Sequence, residues 1–151
     1  MNYNVEKIFQ LLKVRNLKIA AVESFTGGLF SSTIVAQPGA SEVFIGSMVA
    51  YHDHVKEALG VDCSQGSVNP DVARQLALSG KEYFEVDYCI SFTGNAGPVA
   101  YDNQPVGLVY ISINKQVFRL QFQKMTRQKI QKHAVDFALN KLGEILENQL
   151  K

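Results

Sequence analysis

The residues Ala21-Val22-Glu23-Ser24-Phe25-Thr26-Gly27-Gly28 decide how the rest of the chain is read. The β-type run over 17–22 (Leu-Lys-Ile-Ala-Ala-Val) ends in Glu23-Ser24. Two glycines and a helix-like segment over 29–35 follow at once. A strand that passes through a glycine turn into a helix presents backbone N–H groups and the positive end of a helix dipole. Ser24 stands at the tip of that turn, where its hydroxyl either caps the helix or attacks a bound carbonyl. Capping is the commoner role for serine, so residue type alone favours it.

Outward from this turn the pattern alternates between the two periods. Val5, Ile8, Phe9, Leu11 and Leu12 recur at helical spacing and predict an amphipathic helix ending near Arg15-Asn16. Pro38-Gly39 breaks the helix that follows the turn. Residues 44–51 read as a second strand, and 52–59 as a short helix closed by Gly60. Asn69-Pro70 predicts the start of a longer helix, an Asn cap with Pro at the first helical position, running to about Tyr83. Residues 86–92 form a mostly apolar strand suited to burial on both faces. A second glycine turn follows, Thr93-Gly94-Asn95-Ala96-Gly97-Pro98. Strands over 106–113 and 117–122 make a hairpin through Asn114-Lys115, and a last helix spans about 127–148. No linker, repeat or low-complexity tract divides the chain, so a single domain over 1–151 is expected. Strands alternating with helices predict an α/β sandwich with a mixed, mostly parallel sheet.

The totals narrow the classes of function. The 151 residues are 46% hydrophobic and 19% charged, the composition of a globular domain with a sizeable core. A net charge of +1 points to no polyanionic partner for the whole molecule. The distribution is less even. No acid lies between Asp102 and Asp136, whereas Lys115, Arg119, Lys124, Arg127, Lys129 and Lys132 do. That block suits a phosphate, and nucleic-acid binding through it is not the favoured reading. Cys63 and Cys89 form neither a disulfide framework nor a metal-ligand cluster. No apolar run reaches the length that crosses a bilayer, and the first residues lack a signal-peptide pattern, so a cytoplasmic protein without a membrane partner is expected.

Ligand sites in open α/β sheets lie beyond the carboxyl ends of the strands. Three predicted strand ends converge there: Glu23-Ser24, Tyr51 and Thr93-Gly94. Tyr51 at the end of a strand and Lys56 one turn into the next helix can lean over the same sheet edge. A lysine serves as a general base when burial or a neighbouring cation lowers its pKa, and a Ser–Lys pair then works as a Ser–His pair does. The alternative keeps Lys56 as a solvated helix residue and Tyr51 as an ordinary strand-end aromatic. His52 and His54 flank Asp53 without a third ligand, so no metal is expected. Thr26-Gly27-Gly28 lacks the Gly-Lys-Ser/Thr of a Walker loop, and the second glycine turn lacks the dinucleotide fingerprint.

Several of these segments together resemble one family, the CinA C-terminal domain family. They are the octet at 21–28, residues 46–56 with Tyr51 and Lys56, Gln65-Gly66-Ser67-Val68, the turn at 93–98 and Pro105-Val106-Gly107-Leu108-Val109-Tyr110. The similarity runs in order along nearly the whole chain. It implies a three-layer α/β/α fold and an amidohydrolase that deamidates nicotinamide mononucleotide to nicotinate mononucleotide and ammonia, without metal or other cofactor. By position, Ser24 matches the nucleophile, Lys56 its activating base and Tyr51 an assisting tyrosine. Thr26, Gly27 and Gly28 are expected to hold the oxyanion. Thr93, Gly94, Asn95 and Arg127 are expected to bind substrate. The resemblance also implies a homo-oligomer, commonly a dimer, and a role in pyridine nucleotide salvage. The amino-terminal domain of longer CinA proteins has no counterpart in this sequence, so a stand-alone form is expected. Phe25 stands where the family usually has Cys, Asn95 where it has Ile, Ala50 where it has Thr and Asp53 where it has Asn. The loop after Pro98 is shorter than the family's. A divergent domain that binds a nucleotide or a protein partner without turnover is the other reading.

Overall fold

A computed structural model describes residues 2–100 and 102–149. Its order of elements is α1 (Val5–Val14), β1 (Ile19–Glu23), α2 (Leu29–Val35), β2 (Phe44–Val49), α3 (Asp53–Ala58), α4 (Pro70–Phe84), β3 (Tyr88–Gly94), β4 (Leu108–Ile113), β5 (Gln116–Gln121) and α5 (Arg127–Asn148). The strands form one sheet in the order β2-β1-β3-β4-β5. β1 pairs in parallel with both β2 and β3, while β3–β4 and β4–β5 are antiparallel. Four of the five strands therefore point the same way, and only β4 runs against them.

β1 lies inside the sheet, paired on both edges, because it can. All five of its residues are buried, and Ala20 and Ala21 leave room for helices to approach on both sides. The period of two divides its side chains between two cores. Ile19 and Ala21 face α1, α2 and α5 together with Ile8, Phe30, Ile90, Phe92 and Ala134. Ala20 and Val22 face the layer of α3 and α4 together with Val72, Leu76 and Cys89. This is the expected three-layer α/β/α sandwich. The expected caps are in place where the local sequence dictates them: Asn69 Oδ1 accepts from the Val72 amide at 2.9 Å, with Pro70 opening α4. β2 ends two residues earlier than predicted, at Val49, so Tyr51 belongs to the connection that leads into α3.

Gly80 sets the distance between α4 and the sheet. A Cβ there would lie 2.5 Å from Cys89 Sγ and 2.7 Å from Val22 Cγ2, both in buried parts of neighbouring strands. Alanine at this helical position gains roughly 1 kcal/mol of helix propensity, but overpacking a close-packed core costs about 1–3 kcal/mol. Because Val22 is β-branched and fixed in a buried interior strand, the second effect wins. Gly80→Ala is expected to lower the urea midpoint of unfolding with an unchanged m-value.

Candidate active site

Alternation along β1 places Glu23 on the α2 side of the sheet and hands Ser24 to the opposite side, where α3 lies. Both consequences are visible. The Glu23 side chain is fully buried, and its carboxylate accepts from the amides of Phe30 (2.9 Å) and Ser31 (3.0 Å) and from the Ser31 hydroxyl (2.6 Å). The expectation that Ser24 caps α2 is thereby corrected. The N-cap position is Gly28, at φ 101° and with no side-chain cap, and Glu23 supplies the missing acceptors from below. The positive end of α2 is neutralised from within the protein and is not offered to a ligand, as the strand–turn–helix pattern alone had implied.

Ser24 lies at the floor of a cavity of about 580 Å³. Its amide donates to Phe92 O at 3.0 Å, and its carbonyl accepts from Gly27 N at 3.1 Å, so the turn is locked on both sides. Gly27 and Gly28 take left-handed backbone conformations that close the turn. Lys56 comes from α3 and is 1% exposed. Its Nζ donates to the Tyr51 main-chain oxygen at 2.6 Å, and the Ser24 hydroxyl approaches the same oxygen at 3.4 Å. One carbonyl thus gathers the alcohol and the amine, although 32 positions separate them in the sequence (56 − 24). Lys56 is not the solvated helix residue of the alternative reading.

Two effects oppose each other at the amine. Loss of water lowers the Lys56 pKa from its ordinary value, whereas the Asp53 carboxylate, with Oδ1 3.7 Å from Nζ, raises it. Burial is the larger, so the pKa is lowered, in the direction a general base requires.

The other expected residues divide. Thr93, Gly94, Asn95 and Arg127 line the cavity with Ser24, Tyr51 and Lys56. Thr93 Oγ1 is tied to Ser67 O at 2.7 Å, and Asn95 Oδ1 accepts from Gly97 N at 2.9 Å. Thr26, Gly27 and Gly28 do not line it. Thr26 is nevertheless buried beside the nucleophile, and its hydroxyl is the one buried side-chain polar atom without a partner among the described residues. Tyr51 contributes to the site through both its main chain and its side chain. Its main-chain oxygen holds Lys56, while its exposed phenol accepts from Arg127 Nη2 at 3.0 Å. Arg127 also donates to Gly97 O at 2.5 Å, so the start of α5 is clasped to the second glycine turn at the cavity rim.

Glu23, Ser67 and His52 were named from the sequence without a part in the site: Glu23 as a strand end, Ser67 within Gln65-Gly66-Ser67-Val68 and His52 as a rejected metal ligand. Glu23 had a signal, an acid closing an otherwise apolar strand, since a buried carboxylate must find donors. Ser67 and His52 reach the cavity through long-range packing, which neither segment announced. No helix among the described residues is long and apolar enough to cross a membrane, and no group of three or more His, Cys, Asp or Glu residues among them is placed to hold a metal.

With this geometry in view, the likenesses to other proteins fall into place. The model of the CinA C-terminal domain matches residues 2–146. A relative from Bacillus cereus (strain AH820), named for competence-damage induction, is 35% identical over 94% of this chain. A similarly named protein of Bacillus thuringiensis (strain Al Hakam) is 34% identical over the same share. The chain spans 37% of the length of these two relatives. Among solved structures, a CinA superfamily protein from Klebsiella pneumoniae 700603 superposes with a TM-score of 0.88 at 23% identity, covering 95% of this chain and 96% of its own, a likeness of fold. A competence or damage-inducible protein from Enterobacter asburiae gives 0.87 at 25% identity, covering 96% of this chain and 99% of its own.

Proposed function

The chain belongs to the CinA C-terminal domain family, and from that premise we propose that it is an amidohydrolase converting nicotinamide mononucleotide to nicotinate mononucleotide and ammonia. The observation that carries the reading is the meeting of Ser24 Oγ and a buried, pKa-lowered Lys56 Nζ on the one Tyr51 carbonyl. Neutral Lys56 takes the Ser24 proton as Oγ bonds to the carboxamide carbon. The tetrahedral intermediate then collapses, the C–N bond breaks, and the Lys56 ammonium gives its proton to the departing ammonia. Water, deprotonated by Lys56 in turn, hydrolyses the Ser24 ester and frees the acid. Phe25 follows the nucleophile and lines the cavity, and its amide is the oxyanion donor, a role worth about 3–4 kcal/mol in a known case.

The rest of the cavity suits the rest of the molecule. Phe25, Ala96 and Pro98 supply apolar wall for the pyridine ring, and Arg127 meets the ribose phosphate at the rim. The Tyr51 phenol, held by Arg127, belongs to that phosphate end rather than to the proton transfer. The direct experiment is incubation of the purified chain with the mononucleotide, following ammonia and the acid product; no release of either rejects the proposal. Binding without turnover is favoured by Asp53, whose charge resists deprotonation of Lys56. Calorimetry showing tight mononucleotide binding with no product would select it.

Asp53 also gives a signed pH prediction. Lys56 must be neutral to act, so the rate rises with pH through its lowered pKa. Removing the carboxylate removes an influence that raises that pKa. Asp53→Asn is therefore expected to move the rising limb of the kcat–pH profile to lower pH and to increase the rate on the acid side of the limb. A limb displaced upward contradicts the assignment of Lys56 as the base.

A further inference from the structure

We infer that Glu23 is the positioning residue of this site, aiming Ser24 by fastening β1 to α2 and to the segment that carries Tyr51. The inference rests on Ser24 as the nucleophile, but its evidence is independent of any substrate. Both carboxylate oxygens are used: Oε1 takes the Phe30 amide, and Oε2 takes the Ser31 amide and hydroxyl. Ser31 Oγ also lies 2.5 Å from Ser47 Oγ on β2, so the network joins β1, α2 and β2 around the turn. The main chain of the same residue completes the arrangement. Glu23 O accepts from the Ala50 amide at 2.8 Å, one residue before the carbonyl that gathers Ser24 and Lys56. Glu23 thus holds both banks of the catalytic gap, the turn on one side and the Ala50-Tyr51 segment on the other.

The choice of residue follows from the chemistry. A carboxylate only accepts, and here three donors converge on it with no competing acceptor demand. Glutamine keeps the shape but turns one oxygen into an NH₂ that opposes an amide donor. Aspartate keeps the charge and falls one methylene short. Either change frees the first turn of α2 to shift, and an error of about 1 Å at a nucleophile is worth on the order of 10²-fold in rate.

The test reads the aim of residue 24 without a substrate. The full chain carrying Ser24→Cys is treated with iodoacetamide, and each thiol is followed by peptide mass spectrometry. Adding Glu23→Gln is expected to slow alkylation of the introduced thiol at least about fivefold while leaving Cys63 unchanged, at a temperature where circular dichroism shows both proteins folded. Equal or faster labelling overturns the inference. Should that chain fail to fold, Ser31→Ala keeps both amide donors, removes the hydroxyl donor with its Ser47 contact, and carries the same comparison, with an expected slowing of about twofold and unchanged labelling as the overturning result. In the Ser24 protein, Glu23→Gln is expected to lower kcat at least about tenfold with KM kept within about twofold, and Glu23→Asp to recover part of the loss. A rise in KM with kcat unchanged overturns it. If the unsubstituted chain releases no ammonia while labelling still depends on Glu23, the substrate assignment falls and the positioning role stands.

Discussion

Replacing Ser24 by alanine is expected to leave nicotinamide mononucleotide bound but unhydrolysed, with the rate of ammonia release down by at least about 10⁴-fold. The reasoning is that no second hydroxyl can stand in. Thr93, another hydroxyl lining the cavity, donates its proton to Ser67 O at 2.7 Å and is held there by burial. Ser67 itself has its hydroxyl directed to Asp102 at 3.1 Å. Neither shares an acceptor with Lys56. The substitution is small and next to a turn fixed by main-chain hydrogen bonds to Phe92 and Gly27, so the fold and the cavity are retained. Binding of the mononucleotide, measured by calorimetry, is therefore expected to stay within a few-fold of the unsubstituted value, since the alanine removes an interaction made in the transition state. Turnover surviving in the Ser24→Ala protein would exclude the covalent route.

The second large effect separates activity from stability at Lys56. Lys56→Met keeps the length and apolar stem of the side chain and removes the amine. Activity is expected to fall by about 10²–10⁴-fold, the range for loss of a positioned general base. Stability is expected to move the other way. The folded-state pKa of Lys56 lies below its unfolded value of 10.5, so the unfolded chain binds the proton more readily. That preference opposes folding in full at pH below the folded pKa and fades as pH rises toward the unfolded one. Methionine carries no such penalty. The variant is therefore expected to unfold at higher denaturant concentration near neutral pH, with the advantage shrinking as the solution is made alkaline. A more stable, inactive protein is the signature of a group kept for chemistry at the cost of stability. A variant that is both inactive and destabilised at every pH would point to a packing role for Lys56.

How much of this was legible before folding differs residue by residue. Asn69-Pro70 announced the start of α4, and the apolar run through Cys89 and Ile90 announced a buried strand, because caps and periodicity are local properties. The convergence of Ser24, Tyr51 and Thr93 was legible too, since each closes or follows a strand of like direction. Tyr51 was placed in the site for a side chain that in fact holds Arg127, and its contribution to Lys56 comes from a carbonyl that every residue possesses. Ser24 was weighed as a helix cap because serine usually is one. The competing cap, Glu23, gains that role only through the geometry of the returning helix.

Sequence by itself determined the alternation of elements, the single glycine-closed turn after β1 and the presence of one alcohol and one amine at neighbouring strand ends. These follow from side-chain periodicity and backbone sterics, which act over a few residues. Tertiary structure alone decided that Lys56 is buried, that Glu23 and not Ser24 receives the amides of α2, and that Thr26-Gly27-Gly28 do not line the cavity. Desolvation and hydrogen-bond partnership depend on what distant segments bring to the same place, and only the closed packing of both helical layers on the sheet fixes that.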